Sequence, residues 1–371
     1  MNKLFCNIKL ILITIFKTKW KFKKPNKAKI LIYDDESIDT LNFYLKKKKY
    51  EIFYNRYEEI NFYIILITIL KDGIKNLKVN YKINYFKMVS PKVVITLIDE
   101  NPGFYKLKNI YPLAKYVSVQ IAFKDNKFYD FIRDFKKKHK NYKFRSDICF
   151  VLGNNDKNKY NKFIKSKFIS LGNIRNNNFP IKKSYKKKIN EIMFISSLTL
   201  RNKSNDKNLR QIKIFNYLKD YCEKNKIQLS LLSKKSIKFL PTYRKYYGSG
   251  NWQYIPNSNK KKKTYQLINN SQFVVFENST LGFEALSKKI KGVCFPDVFP
   301  YKFYSKKYKK KDGLFWSTKI EKKTIFSKID KIINLDLSKW NNLVLKELKD
   351  IIVYNPKNNK FTKTVDSFIY R

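Results

Sequence analysis

The stretch Phe273-Val-Val-Phe-Glu277-Asn-Ser279-Thr280-Leu-Gly282-Phe-Glu284-Ala-Leu286 sets small hydroxyl residues and a glycine between an apolar run and an amphipathic one. The pattern predicts a buried strand that hands over to a helix. Ser279 and Thr280 would then stand at the helix amino terminus, where the first N–H groups lack helical partners and carry partial positive charge. Gly282 would let a bulky anion approach the backbone, and Glu284, one turn in, could accept hydrogen bonds from ribose hydroxyls. The chemistry this suits is capture of a phosphate-bearing ligand. The same residues also make an ordinary capped strand–helix joint, with Glu284 favoured by the helix dipole.

Proton transfer has to come from carboxylates. The single histidine, His139, lies in Lys136-Lys-Lys-His139-Lys140 and reads as a solvated helix-face residue. Its isolation excludes Ser–His–Asp hydrolysis, histidine-ligated zinc and most histidine acid–base schemes. Asp99 and Glu100 end the apolar run Lys92–Ile98 and precede Asn101-Pro102-Gly103, so they are the best-placed general bases for a hydroxyl nucleophile. Glu58, with Glu59, follows Arg56-Tyr57 and is the second choice. Asp34, Asp35 and Glu36 end an earlier apolar run. Turn formation at Asp99 and an exposed ion pair at Glu58 are the plainer alternatives. Ser196 and Ser197 end another apolar run and would face the phosphate site, or simply shape a turn. Phe104, Tyr105, Phe315 and Trp316 would stack on sugar or base, or fill core.

Several chemistries are excluded by what is missing. No Gly-rich loop ends in Gly-Lys-Ser/Thr, no Gly-x-Gly-x-x-Gly opens the first half, and no Asp-x-Asp pair offers to hold a divalent ion on a diphosphate. No metal and no bound cofactor are therefore expected; helix amides, hydroxyls and Lys or Arg would neutralise a leaving phosphate. Cys6, Cys149, Cys222 and Cys294 are widely spaced and suit reduced thiols in the cytoplasm. The charge of +52 comes from 81 basic and 29 acidic residues scattered through every segment. Without a recognised binding module it does not point to specific nucleic-acid binding, but it is compatible with an anionic membrane surface.

The elements that would position these residues alternate. Strands are predicted at 29–34, 50–54, 92–98, 116–121, 147–153 and 168–173, with a helix over 60–70. The rhythm resumes with strands at 191–197, 228–232, 252–255, 273–276 and 293–295, a helix over 209–224, and helices from 322 onward. Strands alternating with helices imply an α/β fold of two Rossmann-like, doubly wound lobes facing a cleft. The expected division is an N-terminal basic and apolar helix over 1–28, a lobe over 29–185 on the acceptor side, and a lobe over 186–371 on the donor side, with a polar linker near 176–188. The first segment is too short to span a bilayer and suits a membrane-peripheral helix or one packed on the domain.

Taken together, several segments resemble the bacterial surface-carbohydrate (O-antigen or lipopolysaccharide) biosynthesis proteins, glycosyltransferases of the two-Rossmann GT-B type. They are Lys92–Tyr105 with Asp99 and Phe104-Tyr105, Val117-Ser-Val-Gln120, Phe150–Gly153, Ser170–Asn177, Met193–Ser197, Ser279–Leu286 and Asp312-Gly313-Leu-Phe315-Trp316. The family favours Asp-Asn where this chain has Asp99-Glu100, and Asn-Gly where it has Ile121-Ala122. The resemblance implies a nucleotide-sugar donor, a lipid-linked or saccharide acceptor, and Gln120 with the aromatic pairs as substrate wall. Transfer of a polyol phosphate, 2-epimerisation of a nucleotide sugar, and a non-catalytic role in glycan assembly are compatible with the same fold.

Overall fold

The computed structural model describes residues 18–56, 58–124, 126–140, 143–180, 189–198, 206–256, 261–296 and 312–370. Residues 1–17 of the expected amino-terminal helix and the linker residues 181–188 lie outside them, and the described remainder, 18–28, is corrected from helix to a short strand, Lys19–Lys21, followed by irregular chain. The chain divides into two compact units.

The first unit comprises residues 1–151, 160–169 and 359–371. Its strands are β1 (Lys19–Lys21), β2 (Ile30–Tyr33), β3 (Tyr50–Phe53), β4 (Glu59–Asn61), β5 (Val93–Thr96), β6 (Lys115–Val119), β7 (Arg145–Val151) and β8 (Lys165–Ser170). Six of them form one sheet in the order β3-β2-β5-β6-β7-β8. The pairs β2–β3, β2–β5, β5–β6 and β6–β7 are all parallel. Every residue of β2 and of β5 is buried, as a sheet covered by helices on both faces requires. The aromatic richness of the sequence is used here: Tyr33 stacks on Phe53 at 5.6 Å, and Phe104 packs edge-on against Tyr105 and Tyr116. The small parallel pair β1–β4 had no clear signal in the sequence.

The second unit comprises residues 152–159 and 170–358. Its strands are β9 (Glu191–Ile195), β10 (Gln228–Leu232), β11 (Trp252–Ile255), β12 (Phe273–Phe276) and β13 (Lys291–Cys294), in the order β11-β10-β9-β12-β13. All four pairings are parallel. Each unit is thus a Rossmann-like α/β layer structure, as the alternation of strands and helices predicts.

The expected boundaries need correction at both ends of the second unit. Residues 170–175, expected in the first lobe, and 176–180, expected in the linker, belong to it, because their asparagine side-chain amides are buried in it. Asn177 donates to the Leu171 carbonyl and to Asn358 Oδ1, and Asn358 donates to the Ile174 carbonyl. Gly172 takes φ +75° in this segment, and a β-carbon there would lie 1.8 Å from the Val353 carbonyl oxygen. Only glycine fits. At the other end, the last helix (Asn359–Tyr370) returns to the first unit. Its Asp366 accepts from the Tyr44 hydroxyl at 2.6 Å and pairs with Lys48 at 2.9 Å, and Phe361 packs on Phe43, Tyr44 and Phe150. Its apolar face had to find a partner, and sequence proximity did not decide which.

Candidate functional site

In an open parallel sheet, ligands sit at the carboxyl ends of strands, where the strand order reverses. In the second unit that point lies between β9 and β12, since the chain runs from β9 outward through β10 and β11 and then crosses to β12. Phe276 is in register with Ile195, which brings the strand-end residues Ser196-Ser197 and Glu277–Thr280 side by side.

Ser279 is the residue before the helix Thr280–Ser287, in extended conformation (φ −107°, ψ 123°), and its side chain makes no capping hydrogen bond. The backbone closes the first turn instead, with the Gly282 and Phe283 amides donating to the Ser279 carbonyl. A serine in a cap position that does not cap keeps its hydroxyl uncommitted beside the amides of Thr280 and Leu281. Ser279 is buried and Thr280 half-buried. This is the chemistry of an anion cradle.

The neighbouring residues have other tasks. The space beside Gly282 is filled by the Phe276 ring: a β-carbon at 282 would lie 2.3 Å from it. The glycine is there for close strand–helix packing, which corrects its expected role of admitting the anion. Glu284 is 2% exposed. It accepts from Asn173 Nδ2, and burial lifts its carboxyl to about 7 against the opposing pull of Tyr265, Lys288, Arg175 and Asn173. Its oxygens are turned into the protein, so the expected ribose contact is corrected to a structural bond. Ser196 is buried, 3.0 Å from the Tyr247 hydroxyl, and accepts from the Leu198 amide. It shapes the turn, whereas Ser197 stays half-buried, its amide donating to Gln211. Phe315 and Trp316 are core rather than substrate wall. They lie along the edge of β13, the Cys294 amide donating to the Phe315 carbonyl and the Ser317 amide to the Cys294 carbonyl.

Sequence reasoning missed Arg210. Its guanidinium lies 3.5 Å from the buried Glu277 and donates to the carbonyls of Pro296 and Thr318, both at 2.8 Å. The signal available was a lone acid, Glu277, at a strand end, which has to be paired once buried.

In the first unit Asp99 is 1% exposed. One of its oxygens pairs with Lys124 at 3.0 Å, the other accepts from the Tyr160 hydroxyl, and its carbonyl accepts from Tyr105. Burial raises its pKa above the ordinary carboxylate value, with Lys124 and Tyr160 pulling the other way. A sealed carboxylate cannot meet an acceptor hydroxyl, so the expectation of Asp99 as base is corrected. Glu100 is the exposed member of the pair, and it also pairs with Lys124. Burial pushes the Lys124 ammonium down, but Asp99 and Glu100 outweigh it and hold it above its ordinary range. Lys124 was hidden by composition, one lysine among very many.

Glu58 pairs with Arg56 at 3.0 Å, and the same guanidinium binds Asp34, Asp35 and Glu36. Asp34, Asp35 and Glu58 are the one group of acids close enough to share an ion among the described residues, and Arg56 already answers their charge. Glu58 is thus an ion-pair residue, which corrects its place as a base. Phe104 and Tyr105 are fully buried in the core, not in a substrate wall. Gln120 is also buried, and donates to the Ala122 carbonyl, so it holds the loop after β6.

Known proteins resemble this chain at two levels. The profile of a family described as "putative O-antigen biosynthesis protein" matches residues 117–368. No curated protein matches. Among solved structures, a putative UDP-N-acetylglucosamine 2-epimerase from Listeria monocytogenes superposes with a TM-score of 0.57 at 10% identity, covering 93% of this chain and 97% of that one. The glycotransferase of kitacinnamycin gives 0.53 at 9% identity over 93% and 100%. The wall teichoic acid polymerase TagF gives 0.52 at 11% identity over 93% and 90%. These likenesses show the fold, that of GT-B enzymes. No helix of the described residues is long and apolar enough to cross a membrane. The chain belongs to the O-antigen biosynthesis protein family, with Rossmann-like units of the GT-B kind.

Proposed function

We propose that the chain is a glycosyltransferase that moves a sugar from a nucleotide-sugar donor to a surface-polysaccharide or lipopolysaccharide acceptor. The observation that carries this reading is the uncapped Ser279 at the reversal point of the second sheet, beside the first amides of the helix Thr280–Ser287. The donor phosphates would lie there, held by those amides and by the Ser279 and Thr280 hydroxyls. Negative charge grows on the leaving diphosphate as the glycosidic bond breaks, and fixed dipoles stabilise it without reorganising. No metal ion is needed in this scheme.

The acceptor hydroxyl must lose a proton as the new bond forms. Glu100 is our choice for that role in the acceptor-side unit: it is exposed, and Lys124 fixes its position while Asp99 fixes Lys124. Ser197 completes the donor-side residues. The reading includes a cytoplasmic enzyme that rests on an anionic membrane surface, and the charge of +52 supports it.

Thermal-shift measurements with CMP, CDP, UDP, GDP and their sugars test the donor side. A raised midpoint with one nucleotide sugar, lost in Ser279→Ala/Thr280→Ala, is the expected result. Stabilisation by none of them overturns the reading in favour of a non-catalytic role. Conversion of a nucleotide sugar without any acceptor replaces it with an epimerase, and stabilisation by a CDP-polyol alone replaces it with a polyol-phosphate transferase.

A further inference from the structure

We propose that the first unit holds a separate phosphate-binding pocket at its own strand reversal point, and that the pocket takes a phosphate carried on an apolar group. The sheet order β3-β2-β5-β6-β7-β8 reverses between β2 and β5. At that point lies a cavity of about 480 Å³. Tyr33, the last residue of β2, and Asn55, just beyond β3, line it. Two helices begin beside it. The helix Leu77–Val89 brings Lys78 and Lys82 from its first two turns, and the helix Pro102–Ile110 brings Gly103 and Lys106.

The lining contains three lysines and no carboxylate. Lys82 shows what this means. Its ammonium donates to Asn55 Oδ1 at 3.0 Å and to the Tyr33 hydroxyl at 3.3 Å, and it lies 5.6 Å from the Tyr33 ring and 5.8 Å from the Phe53 ring. All of these partners are neutral. Burial pushes Lys82 down to about 8, and the charges of Lys78 and Lys106 push the same way. A half-buried cation whose charged neighbours are cations lacks a counter-ion, and a multiply charged anion supplies it. Both helices point positive amino-terminal ends toward the same space, although Asn101 already satisfies one amide there, accepting from Gly103 at 2.9 Å.

The rest of the wall is apolar. Leu107, Ile110, Phe131 and Phe135 line it, and Phe131 is half-exposed. A free phosphate would leave that surface wet, whereas a phosphate joined to a hydrocarbon chain would cover it. In one respect the inference rests on the proposed function: the natural ligand is the lipid-linked acceptor.

The test uses the full chain with three probes: inorganic phosphate, pyrophosphate and farnesyl phosphate, titrated by calorimetry in detergent below its micellar concentration. The expected order is farnesyl phosphate tightest. Lys82→Met and Lys106→Met should each weaken it by roughly tenfold or more, as lost charge-assisted hydrogen bonds do. Phe131→Ala should weaken farnesyl phosphate and leave pyrophosphate unchanged. Lys82→Met keeps the buried stem and removes an unpaired charge, so its melting midpoint should not fall; a loss of binding with an intact midpoint belongs to the pocket. Equal binding of all three probes would overturn the apolar half of the proposal. Binding that survives Lys82→Met, or no binding at all, would overturn it entirely. The nucleotide site is tested independently: phosphate binding that depends on Lys82 in a chain that ignores every nucleotide sugar would remove the proposed donor and leave this pocket standing.

Discussion

Asn173 donates its side-chain amide to the carboxylate of Glu284, and both residues are buried in the second unit. The bond fastens the segment 173–178 to the helix Thr280–Ser287. Lys288 reinforces it, donating to the Phe179 carbonyl at 2.6 Å and to Asn269 at 2.8 Å. A titration follows from the burial. Folded, Glu284 ionises at about 7, against an ordinary 4.5. Between those two values the native state holds the proton that the unfolded state has lost, so stability falls as pH rises through the window. A shift of that size corresponds to about 3 kcal/mol. Lys288, pushed down by burial to about 8, titrates above it. Glu284→Gln keeps an acceptor for Asn173 and should flatten the slope. Urea unfolding at pH 4.5 and above pH 7 reads it, and equal slopes in the variant and the parent would refute the assignment.

The Phe276 ring closes the space beside Gly282. Gly282→Ala should therefore destabilise the second unit by about 1–3 kcal/mol through overpacking, although alanine is the better helix former. Shortening the ring in the double variant Gly282→Ala/Phe276→Leu should recover part of that loss. If the single alanine stabilises the fold, the glycine has a task other than packing. Denaturant midpoints of the three proteins decide it.

Ser279→Ala separates a capping serine from a ligand-binding one. A serine that caps costs about 1 kcal/mol when replaced by alanine. Ser279 makes no such bond, so the free protein should melt unchanged. With Thr280→Ala added, nucleotide-sugar affinity should drop by roughly tenfold or more as hydroxyl donors to phosphate are lost. A lower melting midpoint with unchanged affinity would return both residues to the plain role of a strand–helix joint.

The sheets were readable because parallel strands are buried on both faces and appear as unbroken apolar runs. Ile30–Tyr33, Val93–Thr96 and Phe273–Phe276 show this directly. The side-chain roles were far less readable. Local sequence fixes that Phe104, Tyr105, Phe315 and Trp316 are aromatic, but packing across non-adjacent elements decides that they are core. Asp99 was placed correctly at a strand end, yet its partners Lys124 and Tyr160 lie far along the chain, and only the fold shows that they close over it. Lysine was the poorest guide. With 81 basic residues the functional and the solvating ones look alike, and Lys82 and Lys124 stand out only through what surrounds them. The last helix misled for another reason: an amphipathic face records that it must be covered, not by which unit.

The two neighbouring acids after β5 should behave in opposite ways. Asp99 is buried against Lys124, so Asp99→Asn leaves a buried ammonium with only the exposed Glu100 as counter-charge. Removing one member of a buried pair costs on the order of 3–5 kcal/mol. Its loss of activity should follow the loss of folded protein, and Lys124→Met should look the same from the other side. Glu100 is exposed and contributes little to stability. Glu100→Gln should keep the melting midpoint and the nucleotide-sugar affinity while transfer falls by roughly a hundredfold or more, the scale of a lost general base. Melting, donor titration and initial rates on the same three variants complete the comparison. If Asp99→Asn folds normally and abolishes transfer while Glu100→Gln stays active, the buried acid is the base after all, and Lys124 must swing away to expose it.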